Sequence, residues 1–169
     1  MKYRDQMTPM GRAMYSITLS ASRFLMRHMA LYYILSYTWG ILTTLAGWLV
    51  LGFVRIFLRR KVVDHGRFGP SHYAMLYDSW GGLELGTNFL IADKMPQSWT
   101  LHTKQHELGH TFQNAVWGPL AIFISFLPSV VRYWLDRAGK VEKDYDAAWF
   151  EGSATAIGEE YYEMHSGKM

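Results

Sequence analysis

Residues 30–54 read ALYYILSYTWGILTTLAGWLVLGFV, 25 positions without one charged side chain. A helix of that length crosses a hydrocarbon core of roughly 30 Å with some tilt. As the core helix of a soluble protein it would need cover on every side, which few domains of 169 residues provide. The expectation is one transmembrane helix over residues 30–58. The run is too long for a cleavable signal peptide, starts too late, and lacks a small-residue cleavage site. Composition agrees, with charged residues at 18% and with 7 Trp and 11 Tyr suited to a bilayer interface. The formal charge is +3, yet no Lys/Arg run is interleaved with aromatics, so the expected partner is membrane lipid and not nucleic acid. With no cysteine, disulfides and Cys-ligated zinc are excluded.

The flanks of this run suggest its setting. Arg55, Arg59, Arg60, Lys61 and Arg67 follow it, against Arg12, Arg23 and Arg27 before it. The slight excess places residues 55–113 on the cytoplasmic side. Residues 1–29 form an amphipathic segment. Thr8-Pro9 starts a helix on which Met14, Ile17, Ala21, Phe24 and Leu25 recur at helical spacing. This helix either lies on the membrane surface or packs against the rest of the domain.

A second uncharged stretch, residues 115–131, is interrupted by Gly118-Pro119 and by Pro128. It fits a kinked span, a re-entrant hairpin or an apolar loop dipping into the interface. Residues 62–81 are rich in turn formers and read as a loop leaving the membrane. In 81–93, Leu83, Leu85, Phe89 and Ile91 alternate with other residues, which predicts a small β-hairpin bending at 86–88. Pro96 and Ser98 mark a turn, and a helix starts near Ser98 or Thr100.

That helix carries residues 104–110, KQHELGH. Positions i and i+4 share a helix face, so His106 and His110 point the same way. Two imidazoles so placed can bind one zinc ion, and Glu107 on the adjoining face can act as general base. Two imidazoles and a water leave zinc one ligand short of four. Downstream, in DAAWFEGSATAIGEEYYEM (146–164), Glu151 stands among aromatic and small residues, not in a charged run. Small residues at 152–156 allow close packing against the motif helix, which makes Glu151 the expected third ligand. Glu159, Glu160 and Glu163 read as a solvated end.

HELGH followed about forty residues later by FEGSA resembles the gluzincin-type membrane zinc metallopeptidases, whose signature is HExxH with a later ExxA on a second helix. The stretch HELGHTFQNAVWGPLAIFISFLPS, then WFEGSATAIG, is also similar to small bacterial membrane proteins that carry HExGHxxQ, a Gly-Pro and a Pro-Ser. The resemblance covers roughly residues 82–158. It implies zinc at His106, His110 and Glu151, with Glu107 as base, in a zincin-like helical metal core within a membrane-associated domain over 62–169. It also implies a bacterial inner membrane, with the metal site on the cytoplasmic side by the charge rule above. One departure stands out: many members have Asp directly after the ExxA alanine, orienting a ligand histidine, and here that position is Thr155.

The fold expected is thus mainly α, with one membrane helix, a re-entrant or interfacial apolar hairpin, a small β-hairpin and the metal core. For all three ligands to meet, the 115–131 stretch must turn back, because the charged link 132–150 (including Glu142 and Lys143) cannot recross lipid. His102, one turn before His106, is a candidate fourth ligand or supporting group, and Gln113 and Thr111 are candidate cleft residues. Tyr145, Tyr161, Tyr162 and His165 are open candidates for steadying an oxyanion. The function expected is hydrolysis of a peptide or protein substrate by zinc-activated water. A chain this small has little room for a deep specificity cleft, so an oligomer or a partner membrane protein is expected to complete it. The alternative is a non-catalytic membrane subunit or scaffold that retains the metal site.

Overall fold

The computed structural model describes residues 4–77, 81–93, 96–141 and 144–166. Glu142 and Lys143 of the charged link lie outside the described residues, as do 78–80 of the segment read as a loop.

Helix α1 (Pro9–Arg27) starts as its sequence dictates. Thr8 caps it, its Oγ1 accepting from Gly11 N at 3.1 Å, with Pro9 in the first turn. Its buried face is Gly11, Tyr15, Thr18, Leu19, Ser22, Leu25 and Met26, packed into the main core with Leu108, Phe112, Ile157 and Tyr161. Of the apolar row read from the sequence, Leu25 is inside, whereas Ile17 and Phe24 are about half exposed. The helix therefore packs against the domain and keeps a second apolar stripe outside.

The run from Ala30 to Val54 is not one helix. It divides into α2 (Met29–Tyr37) and α3 (Ile41–Phe57), bent by 84°. Among the described residues no single helix is long and apolar enough to cross a membrane. The polar residues inside the run explain the break. Thr44 Oγ1 donates to Ser36 O at 2.9 Å, Thr38 Oγ1 to Ile34 O at 2.6 Å, and Thr43 Oγ1 to Asn114 Oδ1 at 2.8 Å. A straight helix would carry Thr43 away from Asn114; the bend lets its hydroxyl find a buried partner.

Residues read as a loop form a hairpin instead, β1 (Val62–Phe68) and β2 (Ser71–Leu76), turning at Gly69-Pro70 with Gly69 at φ 57°. The expected hairpin is present as β3 (Gly82–Leu85) and β4 (Asn88–Ala92). A parallel β2–β4 pairing joins the two into one mixed sheet of order β1-β2-β4-β3, leaving β3 at an edge. Alternation sorts the faces. Ala74 and Leu90 pack on Leu51 and Val54 of α3, and Tyr73, Phe89 and Ile91 cluster on the other side. Helix α3 sits directly on the β3–β4 turn: a Cβ at Gly47 would lie 2.1 Å from Leu85 O.

Helix α4 (Gln97–Trp117) ends at Gly118 (φ 53°) and Pro119. One π-helical turn (Ile122–Phe126) and α5 (Leu127–Arg137) then run at 117° to it. The stretch turns back at Gly118-Pro119, while Pro128 lies in the first turn of α5 and breaks nothing. The Trp39 indole lies against Gly118, so the two bends pack on each other. A short turn (Tyr145–Ala147) leads into α6 (Trp149–His165).

Helices α4 and α6 cross backbone to backbone. A Cβ at Gly109 would fall 1.9 Å from Ala154 O, and one at Gly158 would fall 1.7 Å from Gln105 O. The close approach rests on Gly109, Ala154 and Gly158; Gly152 instead faces Asp146 O.

Candidate metal centre

His106 and His110 project from one face of α4, and Glu151 from the first turn of α6. Glu151 Oε2 lies 3.1 Å from His106 Nε2 and 3.4 Å from His110 Nε2; the two Nε2 atoms are 3.1 Å apart. The far side of each imidazole is held. His106 Nδ1 lies 2.9 Å from Thr155 Oγ1, and His110 Nδ1 donates to Gln113 Oε1 at 2.9 Å. With Nδ1 protonated on both rings, both Nε2 lone pairs and a carboxylate oxygen face one point. The Glu151 carboxylate is fully buried, and neither oxygen has a well-aligned hydrogen-bond partner among the described residues. Two imidazole nitrogens and a carboxylate oxygen converging on one point form a group that could hold a metal ion. The spacing is compatible with a tetrahedral ion, whose edge is roughly 3.3 Å at bonds of about 2.0–2.1 Å. Two imidazoles and a carboxylate are donors that zinc accepts, among other divalent ions.

Electrostatics point the same way. Burial alone would raise the Glu151 carboxyl, but hydrogen bonds and charge from His106 and His110 outweigh it and hold it well below the usual range. Burial disfavours the charged form of His110, yet Glu151, Glu107 and Glu84 together raise it to about 9. The field that attracts a proton there attracts a metal ion as well.

No family model, curated protein or solved structure matches the chain.

Glu107, pointing off the ligand face, is buried against β3: a Cβ at Gly82 would fall 2.0 Å from Glu107 Oε1. Burial raises its carboxyl, as does the charge of Glu151, against the pull of His106 and His110. Glu107, both histidines and Glu84 face a cleft of about 720 Å³ walled by Trp99, Phe126, Tyr133 and Trp134.

The remaining candidates separate by position. His102 lines the cleft, its ring stacked 6.4 Å from that of His106, but it is outside the group of converging donor atoms. Gln113 is a support. It holds His110 and donates to Phe150 O and Ser153 Oγ, tying α4 to α6. Thr111 faces away, into a buried hydroxyl cluster with Tyr32 and Ser71. Tyr145 lines the cleft, and burial with the charge of Glu151 pushes its phenol well up. Tyr161 packs on Phe112, Tyr162 stacks on Phe68, and His165 stacks on Tyr161. Glu160 is not free in solvent but pairs with Arg23 of α1 at 2.9 Å.

Three residues of the site escaped the sequence reading. Glu84 on β3 accepts from Asn114 Nδ2 at 3.2 Å and lines the cleft. Ser125, on the π turn, donates to Gln113 Oε1 at 2.8 Å. Asp146 accepts from Thr155 Oγ1 at 3.3 Å. Only Glu84 left a signal, a lone acid between Leu83 and Leu85 in an otherwise apolar strand.

Proposed function

We propose that this chain is a zinc metallopeptidase seated in a membrane surface. The observation that carries the reading is the triangle of His106, His110 and Glu151 acceptor atoms at the floor of a cleft, with the Glu107 carboxylate beside it. Zinc, when bound, would acidify a water and polarise a substrate carbonyl. Glu107, its proton affinity raised by burial, takes a proton from the attacking water and returns it to the leaving amine. The Tyr145 hydroxyl, on the cleft wall, donates to the oxygen on which negative charge develops. The open edge of β3 lies beside Glu107 and suits backbone pairing with an extended peptide.

Membrane seating is supported by an apolar outer surface. Leu42, Leu45, Leu49, Phe53 and Ile56 of α3 are exposed, as are Leu120, Phe123 and Leu127 around the second bend. In this reading both bent segments dip into lipid from one side without forming a continuous span. The basic residues after α3 keep that end on the cytoplasmic side of a bacterial inner membrane.

The test compares wild type with Glu107→Gln, each reconstituted in lipid nanodiscs and loaded with zinc. Against a quenched fluorescent peptide library, wild type is expected to cleave and Glu107→Gln to lose at least about a thousandfold in kcat/KM while keeping one zinc per chain. A zinc-loaded wild type that cleaves no peptide would turn the reading toward the non-catalytic scaffold.

A further inference from the structure

We infer that Asp146 acts as the carboxylate that orients His106, working through the Thr155 hydroxyl. The inference rests on His106 being a metal ligand through Nε2. In that state its Nδ1 carries a proton and donates to Thr155 Oγ1, 2.9 Å away. The Thr155 O–H, having accepted, donates in turn to Asp146 Oδ1 at 3.3 Å. Every donor meets an acceptor, and the chain ends on an anion. A carboxylate placed so fixes the tautomer and the orientation of the imidazole, with the hydroxyl as intermediary.

The surrounding elements hold this relay in place. Thr155 is one turn after Glu151 on α6, so ligand and intermediary share the face turned to α4. Asp146 lies in the turn before α6, and that turn folds back on the helix. A Cβ at Gly152 would fall 2.4 Å from Asp146 O, so only glycine admits it. From the other side Arg132 of α5 donates to Tyr145 O at 2.9 Å. Thr155 is thus one half of a two-residue support whose charged half comes from nine positions earlier in the chain.

The experiment reads zinc affinity by chelator competition together with the ¹⁵N NMR signals of His106. Asp146→Asn and Thr155→Val are each expected to weaken zinc binding about 10- to 100-fold with the helical spectrum unchanged. Thr155→Ser keeps the hydroxyl and should keep the affinity. Because the two residues act in series, Asp146→Asn should add less than about twofold in the Thr155→Val background. Thr155→Asp with Asp146→Asn puts a carboxylate directly at the ring and should recover most of the loss. Unchanged affinity in Asp146→Asn, or losses that multiply in the double variant, would overturn the relay. The metal-free protein separates this from the metal reading. There the His106 Nδ1 proton should exchange faster in Thr155→Val and in Asp146→Asn; equal exchange in all three proteins refutes the relay even if no zinc binds.

Discussion

Glu84 places a carboxyl at the back of the candidate metal centre, hydrogen-bonded by Asn114 and close to both His110 and Glu107. Burial raises it to about 8, the Glu107 charge adding to that and His110 opposing it. A carboxyl raised in the folded state binds its proton more tightly than in the unfolded chain. Its contribution is complete below the unfolded value near 4.5 and is lost as pH rises through about 8. His110, raised to about 9, acts in the same direction, its contribution complete below about 6.5 and lost through about 9. Metal-free protein should therefore lose stability between pH 5 and 9. Glu84→Gln should remove on the order of 4 kcal/mol of that loss, measured by urea unfolding across the range. On the proposed reading zinc displaces the His110 proton, so its apparent affinity should climb about tenfold per pH unit from 6.5 to 9. The two trends diverge: the rise in Tm on adding zinc should be larger at pH 8.5 than at pH 6. That His106 and His110 share one helix face with Glu107 beside them was legible because the H-E-x-x-H spacing is local to one helix. Glu84 and Asp146 were not, because what makes them part of the site is a partner on another element.

At the scale of elements, the centre depends on how closely α4 and α6 approach. Glycine at 109 and at 158 lets each backbone touch the other helix. Gly109→Ala and Gly158→Ala should each cost about 2–4 kcal/mol and draw Glu151 away from the histidines, read as a lower Tm and loss of stoichiometric zinc. Gly52, on α3, has nothing within 4 Å of its Cβ position. Gly52→Ala should leave zinc binding unchanged and stabilise the helix by about 0.5–1 kcal/mol. That small residues pack these helices together was legible in HELGH and FEGSA; which ones do so was not, because the crossing point is a tertiary property. The bend in the first apolar run was hidden for a similar reason. Thr43 and Thr44 look harmless in a hydrophobic stretch, and the partner that bends the chain, Asn114, lies 71 positions away. The β1–β2 hairpin was masked by its glycines. Gly66 sits mid-strand facing the Tyr73 ring, and Gly69-Pro70 is the turn itself, so the turn formers belong to a strand pair.

Over the whole molecule, one segment connects the outside to the site. The stretch after α4 shows Phe123 and Leu127 outward, while Ser125 reaches Gln113 and Phe126 walls the cleft. With the outer row of α3 it forms the apolar surface proposed to enter lipid. Each Leu or Phe side chain moved from water into hydrocarbon contributes about 1.5–3 kcal/mol, and an Asp in its place opposes insertion. Leu49→Asp combined with Phe123→Asp should therefore lower association with phospholipid vesicles at least about 100-fold in a flotation assay, with zinc content and Tm little changed. If seating brings the cleft to the membrane surface, substrate presentation must matter too. A peptide tethered to the vesicle by an acyl anchor should be cleaved faster than the same peptide free in solution, because anchoring raises its effective concentration at the cleft. The doubly charged variant should lose that advantage and still cleave the free peptide at the wild-type rate. Equal rates for tethered and free peptide in wild type would mean that the apolar surface serves some other contact and that the cleft does not face the lipid.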